Sequence, residues 1–190
     1  LAKKCNMTVE QAKEIERRYQ DLYRESIEWV DNKLNQATID GYVTGAFGLR
    51  IRTPLLSQVV LGTNSTPYEA QQEARTAGNG LGQSWCLLNS RSSSEFMGKV
   101  RKDKEFYRYN IRPCAQIHDA FYMIVKNDVS IVSYVNKHLV KAVNWNDHPD
   151  IYHPEVGLGG ELSIFYPTWN DEIVIPNHVY GEDLVKFINK

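Results

Sequence analysis

The run Gln116-Ile-His-Asp-Ala-Phe-Tyr-Met-Ile-Val-Lys-Asn-Asp128, QIHDAFYMIVKND, decides how the rest of the chain is read. Residues 111–117 and 121–125 are candidate strands, the second rich in β-branched and aromatic side chains (Phe121, Tyr122, Ile124 and Val125) and the first bounded by Ile111 and Ile117. Between them stand two adjacent polar residues, His118 and Asp119. Three readings of that pair are open: a plain turn, a buried polar pair satisfied by backbone, or a carboxylate held at a hairpin tip to grip a metal. A tip suits the last, because two strands hold the backbone still while the side chains project beyond the sheet. Mg²⁺ in turn takes oxygen ligands at short, tightly defined distances.

Downstream, Asn127-Asp128 offers a cap for a helix over 129–145, with Val132, Val135, Leu139 and Val143 as its apolar stripe. A loop over 147–154, strands over 161–167 and 171–176, and a terminal helix over 183–188 complete that side. Upstream, a helix is expected over 69–96. It carries Arg75, Asn79 and Gln83 at i, i+4 and i+8, hence on one face. These are donor-rich side chains that reach phosphate oxygens, sugars and base-edge acceptors, although a solvated polar face has the same pattern. Gly78, Gly80 and Gly82 cost that helix about 1 kcal/mol each relative to alanine, which is tolerated where backbone must come close to a neighbour or a ligand.

Further back, Leu49-Arg-Ile-Arg52 alternates as a strand with both arginines on one face, fed by a short hairpin over 41–48. Residues 62–67 read as a loop. Thr8-Val-Glu-Gln11 is a capping box, and Ile15, Tyr19, Leu22, Val30 and Leu34 continue it as a helix of about 28 residues, bent near its middle and stopping at Asp40-Gly41. Hairpins interleaved with helices predict an α+β fold with an antiparallel sheet.

At 190 residues, 42% apolar and 24% charged, the chain can hold one substantial core, with or without a small appendage. No apolar run approaches the roughly 18–20 residues that span a bilayer, and no signal-peptide pattern opens the chain. Cys5, Cys86 and Cys114 are scattered, as in a reducing compartment, so the expectation is a soluble intracellular protein whose sequons at Asn6 and Asn64 are accidental. A net charge of −1 gives no bulk attraction to nucleic acid. Charge is nevertheless uneven: Lys99, Arg101, Lys102, Lys104, Arg108 and Arg112 face only Asp103 and Glu105 within the run 99–112, which reads as a solvated loop unless DNA is placed beside it. Cys114 and His118 have no second Cys/His pair for zinc, and no Gly-x-Ser-x-Gly elbow or Walker loop is present. Tyr107, Tyr109, Phe121 and Tyr122 can stack on bases, but alternating aromatics in strands are commonly core.

Taken in order, the pieces resemble the C-terminal third of the family A DNA polymerases, the group typified by bacterial DNA polymerase I. Leu1 to Ala12 looks like the segment after that family's nucleotide-binding fingers helix. Arg18-Tyr-Gln-Asp-Leu-Tyr23 resembles its "RYF…(F/Y)P" helix, with Arg24 where proline is usual. Gly41-Tyr-Val…Phe-Gly-Leu-Arg50 is similar to the "GYV.T..GRRR" turn, and Glu73 to Gln83 to the "ER…N…Q" helix. Gln116-Ile-His-Asp119 matches motif C, and Gly157-Leu-Gly-Gly160 with the strand after it is similar to the closing "VGIG..W" strand, Trp169 answering its tryptophan.

The resemblance implies a division into a distal fingers segment, 1–40, and a palm subdomain, 41–190. It implies that Asp119 is one of two aspartates binding a catalytic Mg²⁺ pair, that His118 positions the primer terminus, and that Arg75, Asn79 and Gln83 contact primer–template DNA along its minor groove. Arg50 and Arg52 are candidates for backbone phosphates. Ala120 stands where glutamate is usual, and no "DYSQIE"-like motif A or "RxxxKxxxFG" fingers helix is found. The partner aspartate and the dNTP-binding Arg and Lys are therefore expected from an upstream segment or subunit. The insertion-like stretches 55–68 and 91–108, with Ala120, lean towards a phage-type member acting in host cytoplasm. The alternative is a non-catalytic nucleic-acid-binding module on a palm scaffold.

Overall fold

The structure is a computed structural model that describes residues 2–62 and 65–188; Leu1 of the opening segment and Asn64 of the second sequon lie outside the described residues. It is an α+β architecture whose strands pair antiparallel in three two-stranded ladders, each a local hairpin. The chain packs as two compact units, Leu1–Ser84 and Trp85–Lys190.

In the first unit, α1 (Ala2–Cys5) precedes α2 (Val9–Leu22), whose capping box is formed by Thr8 and Gln11. The long helix expected to bend near its middle breaks at Tyr23, and α3 (Arg24–Asp40) begins anew; no proline is needed there. Gly41 ends α3 in the left-handed region (φ 75°), where glycine carries no Cβ penalty. β1 (Tyr42–Thr44) then pairs with β2 (Arg50–Arg52). α4 (Tyr68–Gln83) closes the unit over a core of Ala37, Val43, Leu56, Ala70, Ala77 and Leu81. Glu73 accepts from the Leu55 and Leu56 amides at 2.8 and 2.7 Å, fixing the turn before α4 onto it. Because α3 contributes Ala37 to this core, residues 1–40 share packing with residues 41–84, and the compact division falls at 84/85.

In the second unit, α5 (Leu87–Lys102) and α6 (Glu105–Asn110) lead into β3 (Ile111–Ile117) and β4 (Ala120–Val125). The single helix expected over 69–96 is thus two helices separated by a tight 3₁₀ turn at Ser84–Cys86. The run 99–112 is also corrected: it is the last turn of α5, α6 and the start of β3, anchored by buried Val100 and Ile111. α7 (Val129–Val143) is capped by Asp128 and lays Ile131, Tyr134, Val135 and Ala142 into a core with Phe96, Val100 and Ile111. β5 (Leu162–Phe165), β6 (Glu172–Ile175) and α8 (Glu182–Ile188) cover its other side through Val132, Ile175, Val179 and Leu184. Asn136, fully buried, donates to the Pro176 and Val179 carbonyls at 3.1 and 3.2 Å and ties α7 to that segment.

Candidate catalytic hairpin and nucleic-acid-facing helix

β3 and β4 pair up to Ile117↔Ala120, so His118 and Asp119 alone make the turn. Of the three readings, the buried polar pair is excluded, since both residues are exposed. Pro113, which has no amide to donate, sits at a register shift that leaves Cys114 unpaired. Such a bulge bends one strand and re-aims the tip beyond it. His118 has φ 52°, in the left-handed region. For a non-glycine residue that conformation costs on the order of 1–3 kcal/mol and persists only where surrounding contacts enforce it.

Those contacts come from α5. Asn89 Nδ2 donates to the carbonyls of His118 and Ala120, 3.2 Å each, so one side chain holds both ends of the turn. One residue before the end of β3, Gln116 Nε2 donates to Ser90 Oγ at 2.7 Å while its Oε1 accepts from Ser93 Oγ at 3.1 Å. The tip is thereby clamped at three points to a helix rooted in the core through Phe96 and Val100. Asn89, Ser90 and Ser93 have no sequence signature: each acts on a partner 23–31 residues away.

The Asp119 carboxylate projects into solvent, and no basic side chain among the described residues neutralises it. A hard oxygen donor on a braced turn fits one position of a Mg²⁺ site. No group of three or more His, Cys, Asp or Glu able to hold a metal occurs among the described residues.

In the first unit, Arg75, Asn79 and Gln83 are all exposed along one face of α4, while Ala70, Ala77 and Leu81 occupy the opposite, buried face. The glycines divide by role. A Cβ on Gly80 would lie 2.6 Å from Ile51 Cδ1, so Gly80 admits β2 against the helix, and one on Gly78 would make ordinary contact with Val30 of α3. Gly82 meets nothing within 4 Å and leaves the polar face bare beside Gln83. Arg50 and Arg52 are both exposed on β2 with Ile51 turned inward; Arg50 lies over the Tyr42 ring, 4.5 Å from its centroid. Among the aromatics, Tyr107 and Phe121 pack against the core, Tyr122 sits 5.3 Å from Trp169, and Tyr109 is exposed.

Neither protein-family models nor curated proteins match this sequence. Compared as a fold, the chain matches a DNA-polymerase domain. The neighbour is the POL domain of Pol1 from M. smegmatis, in complex with DNA primer-template and dNTP, with a TM-score of 0.59 and 20% sequence identity over 83% of this chain. The chain spans about a quarter of that protein, 25% of its length. At this identity the likeness establishes a polymerase-domain fold. No helix among the described residues is long and apolar enough to cross a membrane.

Proposed function

We propose that this chain is the C-terminal fingers and palm portion, divided at residues 1–40 and 41–190, of a phage-type, family A DNA-directed DNA polymerase acting in host cytoplasm. The observation that carries the reading is the exposed Asp119 on a turn clamped by Asn89, within a fold that matches a polymerase domain. A carboxylate used for chemistry must be held still yet stay open to its partners, and this arrangement meets both demands.

In this reading Asp119 supplies one carboxylate to a Mg²⁺ pair, and an upstream segment or subunit supplies the second aspartate and the dNTP-binding cations. When bound, the two ions provide Lewis-acid activation of the primer 3′-hydroxyl and charge stabilisation at the α-phosphate. His118, beside Asp119 on the turn, positions the primer terminus by hydrogen bonding. Arg75, Asn79 and Gln83 donate to minor-groove acceptors, purine N3 and pyrimidine O2, which recur in every base pair and so allow binding with little sequence preference. Arg50 and Arg52 contact backbone phosphates.

Primer extension tests the whole. The 190-residue chain alone should not extend a primer, whereas the chain joined to a motif A and fingers segment should incorporate dNTPs. Robust incorporation by the chain alone would refute the divided site. Duplex binding without any extension by the joined enzyme would leave a non-catalytic binding module as the function.

A further inference from the structure

The cationic run at the end of α5 belongs to neither residue set used above. Its two acids are engaged within the unit. Asp103 accepts from the Lys104 amide at 2.8 Å and the Tyr134 hydroxyl at 3.0 Å and pairs with Lys99 at 3.4 Å, while Glu105 pairs with Arg108 at 3.2 Å. The Lys104 amide, then the Tyr134 hydroxyl and Lys99, hold the Asp103 carboxyl below its ordinary range; burial, then Asp103, pushes the Tyr134 hydroxyl up. Asp103 therefore stays charged and spent on its neighbours. Arg101, Lys102, Lys104 and Arg112 are exposed and have no carboxylate partner among the described residues. They sit on a firm support, because buried Val100 and Ile111 and half-buried Tyr107 root the segment in the core.

Two aromatic rings lie among these cations. Tyr109 is 58% exposed and Phe106 39% exposed. The Arg108 guanidinium lies 4.9 Å from the Tyr109 centroid and Lys126 Nζ 5.7 Å from that of Phe106. The Lys126 amide donates to the Asn110 carbonyl at 3.1 Å, which brings the end of β4 beside α6; Asp128 is the carboxylate that faces Lys126 there.

We propose that this α5–α6–β3 surface binds single-stranded nucleic acid, its cations taking phosphates and Tyr109 and Phe106 stacking on unpaired bases. In a chain of net charge −1, four uncompensated cations within twelve residues (101–112) are a local concentration that attracts a polyanion. The exposed rings favour a single strand over a duplex, whose base faces are already stacked. They favour it over a lipid surface as well, because rings interleaved with cations form no continuous apolar face to insert. The proposal does not depend on the roles given to Asp119 or to α4.

Fluorescence anisotropy of a labelled oligothymidylate, titrated with the full chain at several salt concentrations, tests it. The Arg101→Gln/Lys102→Gln/Arg112→Gln chain should bind about tenfold or more weakly, with a log–log salt slope smaller by about 2, at roughly 0.7 for each phosphate no longer neutralised. Lys102→Gln alone should reduce the slope by about a third of that. Tyr109→Ala should weaken binding about fivefold or more with the slope unchanged. The Arg75→Ala/Gln83→Ala chain should retain oligothymidylate binding. Wild-type affinity and slope in the triple variant would overturn the proposal, as would an equal loss of duplex affinity in the Tyr109→Ala chain or stronger binding to phosphatidylserine vesicles. Loss of binding confined to the α4 variant would overturn it too, by placing the strand on α4.

Discussion

Asn89 donates from one amide to the carbonyls of both His118 and Ala120, at 3.2 Å each, and so brackets Asp119 from the two sides of its turn. The bonds act on backbone rather than on the carboxylate, leaving Asp119 open while fixing where it points. The clamp also accounts for the left-handed His118, whose conformation the local sequence does not favour.

Replacing that amide should loosen the turn without unfolding the unit. Asn89→Leu removes two hydrogen bonds to exposed or half-exposed carbonyls that water can replace, so the stability cost should be about 1 kcal/mol. Amide hydrogen exchange at Asp119 and Ala120 should accelerate. With Asp119 in its proposed metal-binding role, kcat of the complete enzyme should fall about tenfold with duplex affinity unchanged, because displacement of a reacting group costs rate rather than binding. Exchange rates equal to wild type would contradict the clamp.

Two glycines should respond in opposite directions. Gly82→Ala adds a methyl to open space and should raise stability by about 0.5–1 kcal/mol, while weakening duplex binding if that face of α4 lies on DNA. Gly45→Ala would place its Cβ 2.7 Å from Ser84 Oγ, a buried hydroxyl already donating to the Leu81 carbonyl and accepting from the Ala46 amide. It should destabilise by about 1–3 kcal/mol. Thermal melts of the two variants decide, and equal shifts would contradict the packing described.

Acid stability should carry the signature of Asp128. Its carboxylate accepts from the Ser130 hydroxyl and from the Ser130 and Ile131 amides at the start of α7, and the Ser130 hydroxyl foremost holds it below its ordinary value of 3.8. A folded pKa below the unfolded one gives stability that is fully present above about pH 4 and is lost as pH falls through the folded value. Asp128→Ala should therefore lower Tm by a few degrees at neutral pH and show a shallower decline of Tm below about pH 4. Parallel Tm–pH curves for the two chains would contradict this.

Ala120 offers a fourth test. Its side chain cannot ligate metal or hold a water, and a carboxylate restored there would stand next to Asp119. In the complete enzyme Ala120→Glu should shift the Mg²⁺ dependence of extension to lower concentration, and superimposable titrations would remove the idea that the missing acid matters.

What was legible in the sequence follows the range of the forces involved. The Thr8 capping box, the Gly41 stop, the Asp128 cap and the two-residue turn at 118–119 are local chemistry, and the structure has each of them. The one-face placement of Arg75, Asn79 and Gln83 follows from helical period alone. A bend near the middle of the first long helix is legible, and the structure sharpens it to a break at Tyr23, whereas the division at Ser84 does not show, because apolar spacing continues across it. The run 99–112 reads as solvated since its charges outnumber its anchors, yet Val100, Tyr107 and Ile111 suffice to pin it. The Asn89 clamp, spanning 29 and 31 residues to its two acceptors, lies beyond any window of local pattern.

The most direct measurement is single-turnover primer extension by the complete enzyme carrying Asp119→Ala, with primer–template Kd determined in parallel. The account predicts a rate lower by on the order of 10³-fold or more with Kd within about twofold of wild type. Near-normal extension by the variant would contradict it.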